Sequence, residues 1–257
     1  SSLGDENNTG FATRIAGKQV FLNLKNSWLL QGKASVDYVQ DTYRNVEGLY
    51  NVEFERDWNL IFPQGNQILA NTGIEVINSE VGNAFYNFQL LEYSENFNGK
   101  RHEIFSALNF GKWQTRLNAS YMNSESEVLE SGFTRINSSV VKDFDAKWIG
   151  AKFSMEENIQ KETSTEALTG NSQSFKKYEI FTGIGDSTNV FAEVGYRYRV
   201  NDSLRNNNLT RVSNSNTYFL ESTLVKKPQS NLSIFVNYRV LENTEEEIPD
   251  DKSLNSR

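Results

Sequence analysis

The sequence predicts an all-β protein, an antiparallel meander of long two-faced strands forming an open or curled sheet or sandwich, with little or no helix. Three observations lead there. Stretches of roughly ten residues alternate between apolar and polar side chains, the period of a pleated strand. The breaks between them are short and rich in Asn, Asp, Ser, Gly and Glu, which accept turn geometry. Helical periodicity is almost missing. The clearest unit is VFAEVGYRYRV: Val190, Ala192, Val194, Tyr196, Tyr198 and Val200 fall on one side, and Phe191, Glu193, Gly195, Arg197 and Arg199 on the other.

The same unit recurs along the chain. KQVFLNLKNSWLLQGKASVDYV holds two strands, the second with Ala34, Val36 and Tyr38 on one face. GLYNVEFERDW groups Tyr50, Val52 and Phe54, and NQILANTGIEVI follows the turn formers Pro63 and Gly65. NAFYNFQLLEY aligns Ala84, Tyr86, Phe88 and Leu90. HEIFSALNF turns at GKWQ into TRLNASYM, with Leu117, Ala119 and Tyr121 in register. DAKWIGAKFSM, KKYEIFTGIG, VFAEVGYRYRV, NTYFLESTLV and NLSIFVNYRV complete the series. MNSESEVLESG and VNDSLRNNN read as breaks. MEENIQKETSTEALTG fits either a helical turn or two or a polar loop, and ENTEEEIPDD reads as a mobile acidic loop. Short breaks favour antiparallel neighbours, because parallel strands need crossovers of a dozen residues or more. Residues 1–257 are thus expected to form one extended β region, any subdivision falling near 158–174. No tight internal repeat supports a solenoid or propeller.

Composition removes several function classes. The net charge is −7 and the pI near 5.0, against the concentrated basic surface that nucleic-acid binding needs. There is no cysteine, hence no disulfide, thiolate metal site or cysteine nucleophile. No apolar run approaches the roughly 18–20 residues of a membrane helix. The polar ends, SSLGDENNTGFATR and DDKSLNSR, lead us to expect the ordered part of a longer polypeptide.

No constellation carries catalysis. His102 is the one histidine and reads as a surface residue rather than a ligand or base. Asp143 and Asp145 would share a strand face, yet the Asp and Gly pattern of calcium loops is missing around them. There is no nucleophile elbow, phosphate loop or dinucleotide fingerprint. We therefore expect no enzyme, no catalytic, cofactor-binding or metal-binding residues, and no cofactor.

What covers the apolar faces decides the function class. VFAEVGYRYRV and NLSIFVNYRV could face lipid, as strands of a membrane barrel do. Other rows look interrupted: Glu221 and Thr223 stand among Phe219 and Val225, Lys147 ends the row of Ile149, Ala151 and Phe153, and Gly48 and Arg56 flank Tyr50, Val52 and Phe54. Rows of that kind fit a soluble sheet with one covered face better than a lipid-embedded one.

FKKYEIFTGIGDSTNVFAEVGYRYRVNDSL, NSNTYFLESTLVKKPQSNLSIFVNYRVL and the texture of EFERDWNLIFP resemble very large all-β envelope proteins of the Bacteroidota associated with the type IX secretion system. Among these the chain is most similar to the plug component of the translocon. The resemblance implies a non-enzymatic periplasmic protein that binds and occludes a large outer-membrane secretion barrel, a steric role with no catalytic residues to carry over. Part of an outer-membrane β-barrel is the first alternative, and a secreted carbohydrate-binding sandwich the second.

Overall fold

The computed structural model describes residues 10–24, 27–43, 58, 60, 65–185, 191–205, 207–227, 230–243 and 250–256. Thirteen strands form one sheet in sequence order. They are β1 (Ala12–Leu24), β2 (Trp28–Val39), β3 (Gln67–Asn78), β4 (Gly82–Tyr93), β5 (Phe97–Phe110), β6 (Trp113–Ser126) and β7 (Leu129–Asp143). There follow β8 (Lys147–Glu162), β9 (Gln173–Gly185), β10 (Phe191–Arg205), β11 (Asn208–Lys227), β12 (Ser230–Asn243) and β13 (Asp251–Ser256). Every neighbouring pair is antiparallel. The expected all-β meander is therefore the observed fold. The sheet is not closed: β1 pairs only with β2, and β13 only with β12.

The hairpin turns sort into two ends. Where β2 begins, connections are two to five residues long; where β3 begins, they range from two to twenty-seven. We call these the short-turn and long-loop ends. Local chemistry sets the short turns. Gly111 takes φ 60 in the two-residue link from Phe110 to Trp113, a conformation that glycine adopts freely. Asn78 Oδ1 accepts the N–H groups of Glu80 and Val81 at 2.9 and 2.8 Å, closing the β3–β4 turn.

Register gives the tilt. One unbroken row of opposed residues runs Trp28, Asn78, Gly82, Leu108, Thr115, Val140, Ala151, Ile180, Tyr196, Tyr218, Tyr238 and Leu254. Trp28 is the first residue of β2, but Tyr238 lies eight residues beyond Ser230, the first of β12. Over the ten strand steps between them, eight residues of stagger amount to about 27 Å along the strands against about 48 Å across them. The strands therefore lean about 30° from a line joining the turn ends, near the tilt that curled sheets and barrels adopt.

Several sequence expectations are corrected. Met155–Glu162 is not helical but the second half of β8. Glu127 and Val128 alone separate β6 from β7, so the break read at MNSESEVLESG is mostly strand. Likewise VNDSLRNNN is largely the facing ends of β10 and β11. The strand expected around Tyr50, Val52 and Phe54, and most of the acidic 242–251 segment, lie outside the described residues. Residues 163–172 link two strands of the same sheet, and no helix occurs among the described residues.

Only one side of this single layer meets a core. Trp58, Leu91, Phe97 and Met122 form a small buried cluster, with Leu60, Leu69, Tyr93 and Phe133 packed against it. The accessible surface is 17097 Å², whereas a compact protein of this mass exposes about 11,500 Å².

Candidate functional site

Alternation, broken by register shifts in β1 and β11, gives the sheet two opposite surfaces. One carries Leu30, Val36, Ile74, Ile104, Val140, Ile149, Ile180, Val194, Leu220 and Ile234, most of them more than a third exposed. Aromatic residues bound this apolar band. At the short-turn end stand Trp28, Phe110 and Trp113, all exposed. Seven to ten residues further along their strands come Tyr38, Tyr121, Tyr178, Tyr198, Tyr218 and Tyr238. Eight tilted residues span about 24 Å, close to the height of the lipid-facing band of membrane barrels. From β2 to β12, the described side chains of this band include no Asp, Glu, Lys or Arg except Lys142 and Lys147, both at the short-turn margin. Lys142 there lies 4.9 Å from the Trp113 ring and 5.1 Å from the Phe144 ring. Beyond the tyrosines the same surface turns polar, with Lys100, Glu157, Lys176 and Asp202. No second layer covers the apolar band among the described residues.

The opposite surface is mixed: it carries the buried cluster of Trp58, Leu91, Phe97 and Met122 and the stacked rings of Phe85 and Phe105, together with most of the charged and hydrogen-bonding groups of the sheet. Gln31 donates to Glu75 at 2.6 Å, Asn87 to Glu103 at 3.2 Å and the Trp148 indole to Glu193 at 2.9 Å. Arg14 pairs with Asp37, Arg101 with Glu103 and Arg135 with Glu156. The best-shielded ionic group is Glu179, 4% exposed, which accepts from Lys152 at 3.0 Å and from Arg197 at 2.7 Å. Other acceptors here, Asn71 Oδ1, Asn87 Oδ1 and Asn237 Oδ1, take no hydrogen bond from the protein. These oxygens have almost no accessible surface, as do the unpaired Ser174, Asn214 and Ser222 oxygens on the apolar surface, and each costs about 1–3 kcal/mol unless water reaches it.

Small polar residues such as Ser120, Ser215 and Thr217 are nearly buried on this side beneath larger neighbours, as are Ser174 and Ser222 on the other. Glycines make room for some of those neighbours. A β-carbon on Gly150 would lie 2.3 Å from the Phe181 ring, and one on Gly195 2.3 Å from the Phe219 ring. Rings thus lie across glycines of the neighbouring strands, in the row Gly150, Phe181, Gly195, Phe219. Trp58, from the connection between β2 and β3, packs on the same polar side over Gly99 and is 2% exposed.

The structure separates the acids singled out from the sequence. Asp143 ends β7, opposite Trp148, while Asp145 sits in the turn at φ 69 and pairs with Lys112 at 3.0 Å. They do not share a strand face. His102 lies on the apolar surface at the tyrosine margin, its Nδ1 2.8 Å from the Tyr86 hydroxyl and its ring 5.0 Å from that of Phe88. Among the described residues no group of three or more His, Asp or Glu is placed to hold a metal. No protein-family model, curated protein or solved structure matches the chain.

Of the interrupted rows, the face of Glu221 and Phe219 is the polar surface, and Tyr218 and Leu220 carry the apolar one. Lys147 ends the row of Ile149, Ala151 and Phe153 as expected, at the first residue of β8. The row flanked by Gly48 and Arg56 lies outside the described residues.

Proposed function

We propose that this chain forms part of the wall of an outer-membrane-type β-barrel, with its apolar surface toward lipid and its polar surface toward a water-filled lumen. One observation carries the reading: across β2 to β12 of a tilted sheet runs a band about 24 Å high whose described side chains bear no charge except Lys142 and Lys147 at its margin, with aromatic residues along parts of both edges. The balance of energies supports this orientation. A charge at mid-bilayer costs about 2–4 kcal/mol in a barrel strand. The polar surface holds Lys152, Glu179, Arg197 and Arg239 in a single row, so turning it to lipid would cost several times that. No helix among the described residues is long and apolar enough to cross a membrane; strands would do so here.

Site-directed labelling tests the reading directly, since the chain has no cysteine of its own. Single cysteines at Val194, Leu220 and Ile180 should resist a water-soluble maleimide in native membranes, while cysteines at Asn137, Ser139 and Asn237 react. Equal reaction on both surfaces, or a protein that stays soluble without detergent, would overturn it. An occluding role on a secretion channel, the expectation from the resemblance, would cover the apolar band with polypeptide. A photocrosslinker at Ile180 would then capture a protein instead of lipid.

A further inference from the structure

We infer that the polar lining of β6–β12 is an anion-conducting and anion-binding strip, suited to small solutes bearing carboxylate or phosphate groups. The inference rests on the barrel-wall reading and names the solute class of that lumen.

Register assembles the strip. Arg116, Ser139, Lys152, Glu179, Arg197, Thr217 and Arg239 form one continuous row across seven strands. The adjoining row adds Lys177 beside Arg199. Six cations therefore face one acid, Glu179, whose two carboxylate oxygens are already taken by Lys152 and Arg197. Lys177, Arg116 and Arg239 make no salt bridge among the described residues. The rows on either side are electrically neutral in these strands: Gly150, Phe181, Gly195, Phe219 and Asn237 toward the short turns, and the Arg135–Glu156 pair with Phe175, Asn201 and Ser213 toward the loops. The strip stands out all the more in a chain whose net charge is −7.

Aromatic rings hold the cationic heads in place. Lys152 Nζ lies 4.3 Å from the Phe181 ring centre, Arg197 5.4 Å from Phe219 and Arg199 4.6 Å from Phe175. A guanidinium so held keeps its outer N–H groups for a carboxylate or phosphate. Rings of Arg and Lys are how pores select anions. Five net positive charges about 10 Å from a solute path, screened over one Debye length, favour anions over cations by roughly tenfold.

The test uses the whole protein, extracted in detergent and reconstituted into liposomes and planar bilayers. Flotation with the liposomes comes first: failure to insert removes the barrel reading and this inference with it. For inserted protein in a KCl gradient, the reversal potential should show chloride preferred over potassium by roughly tenfold. Lys177→Gln with Arg239→Gln, neither residue salt-bridged, should cut that preference by at least about half, whereas Lys147→Gln on the opposite surface leaves it unchanged. Cation preference, no preference, or an unchanged double variant would overturn the inference while the barrel reading stands. If the inserted protein passes no current, acetylation of Lys177 by acetic anhydride decides. Protection by millimolar inorganic phosphate, but not by chloride of equal ionic strength, supports the strip, and equal modification refutes it.

Discussion

The tip of the Phe181 ring stands where a β-carbon on Gly150, its partner across the β8–β9 ladder, would have to be, at 2.3 Å. Ring and glycine are complementary halves of one contact. Gly150→Ala should lower stability by about 1–3 kcal/mol, the usual cost of forcing extra carbon into a filled space. Gly132→Ala, with nothing within 4 Å of its added carbon, should be close to neutral. Unfolding midpoints in detergent or bilayer, read by the loss of β-sheet circular dichroism, distinguish the two.

Glu179 lies directly opposite both Lys152 and Arg197. Replacing it by Gln leaves two cations facing each other across a shielded amide. The two bases are 42% and 36% exposed, so they recover much of their hydration. We expect a loss of about 1–3 kcal/mol, less than for a fully buried pair. A double-mutant cycle of Glu179→Gln with Arg197→Gln measures the coupling; no interaction energy would mean that the 2.7 Å contact contributes nothing.

The sign of one substitution separates lipid from water on the apolar band. Val194 is 48% exposed there. Val194→Lys should destabilise an inserted wall by about 2–4 kcal/mol. A soluble sheet would tolerate the same change within about 0.5 kcal/mol at an exposed position. Asn137→Lys, at an exposed position on the polar side between Asn118 and Ser154, is the control. The measurement is folding in lipid vesicles followed by the shift in mobility between unheated and boiled samples.

Trp58 is the largest side chain of the buried cluster and touches the polar wall at Gly99. Trp58→Ala should cost about 3–5 kcal/mol locally, as removal of a buried aromatic usually does. Its blue-shifted fluorescence should disappear. Under the channel reading, single-channel conductance should rise once this side chain no longer covers the wall at Gly99.

Much of the fold was legible because the alternation in VFAEVGYRYRV and NLSIFVNYRV is strong and turn residues punctuate it. β7 escaped notice because its apolar surface reads Gly132, Thr134, Ile136, Ser138 and Val140, with only two large aliphatic side chains. Its pairing on both sides supplies the stability that its own side chains do not. The orientation of β11 was hard to read for a different reason: Phe219 looks like an apolar-surface residue, but its ring lies over Gly195 on the polar one. The ionic row of Arg116, Lys152, Glu179, Arg197 and Arg239 could not be seen at all. Its members come from five strands, and only the accumulated register of the hairpins brings them level.

An odd number of alternating strands has an arithmetic consequence. In the thirteen-strand meander, β1 and β13 run in the same direction. They cannot zip to each other and keep the antiparallel pattern. Within hydrocarbon, their outward N–H and C=O groups must all find partners. On the barrel-wall reading, closing the cylinder through antiparallel pairs alone takes an odd number of strands besides these thirteen.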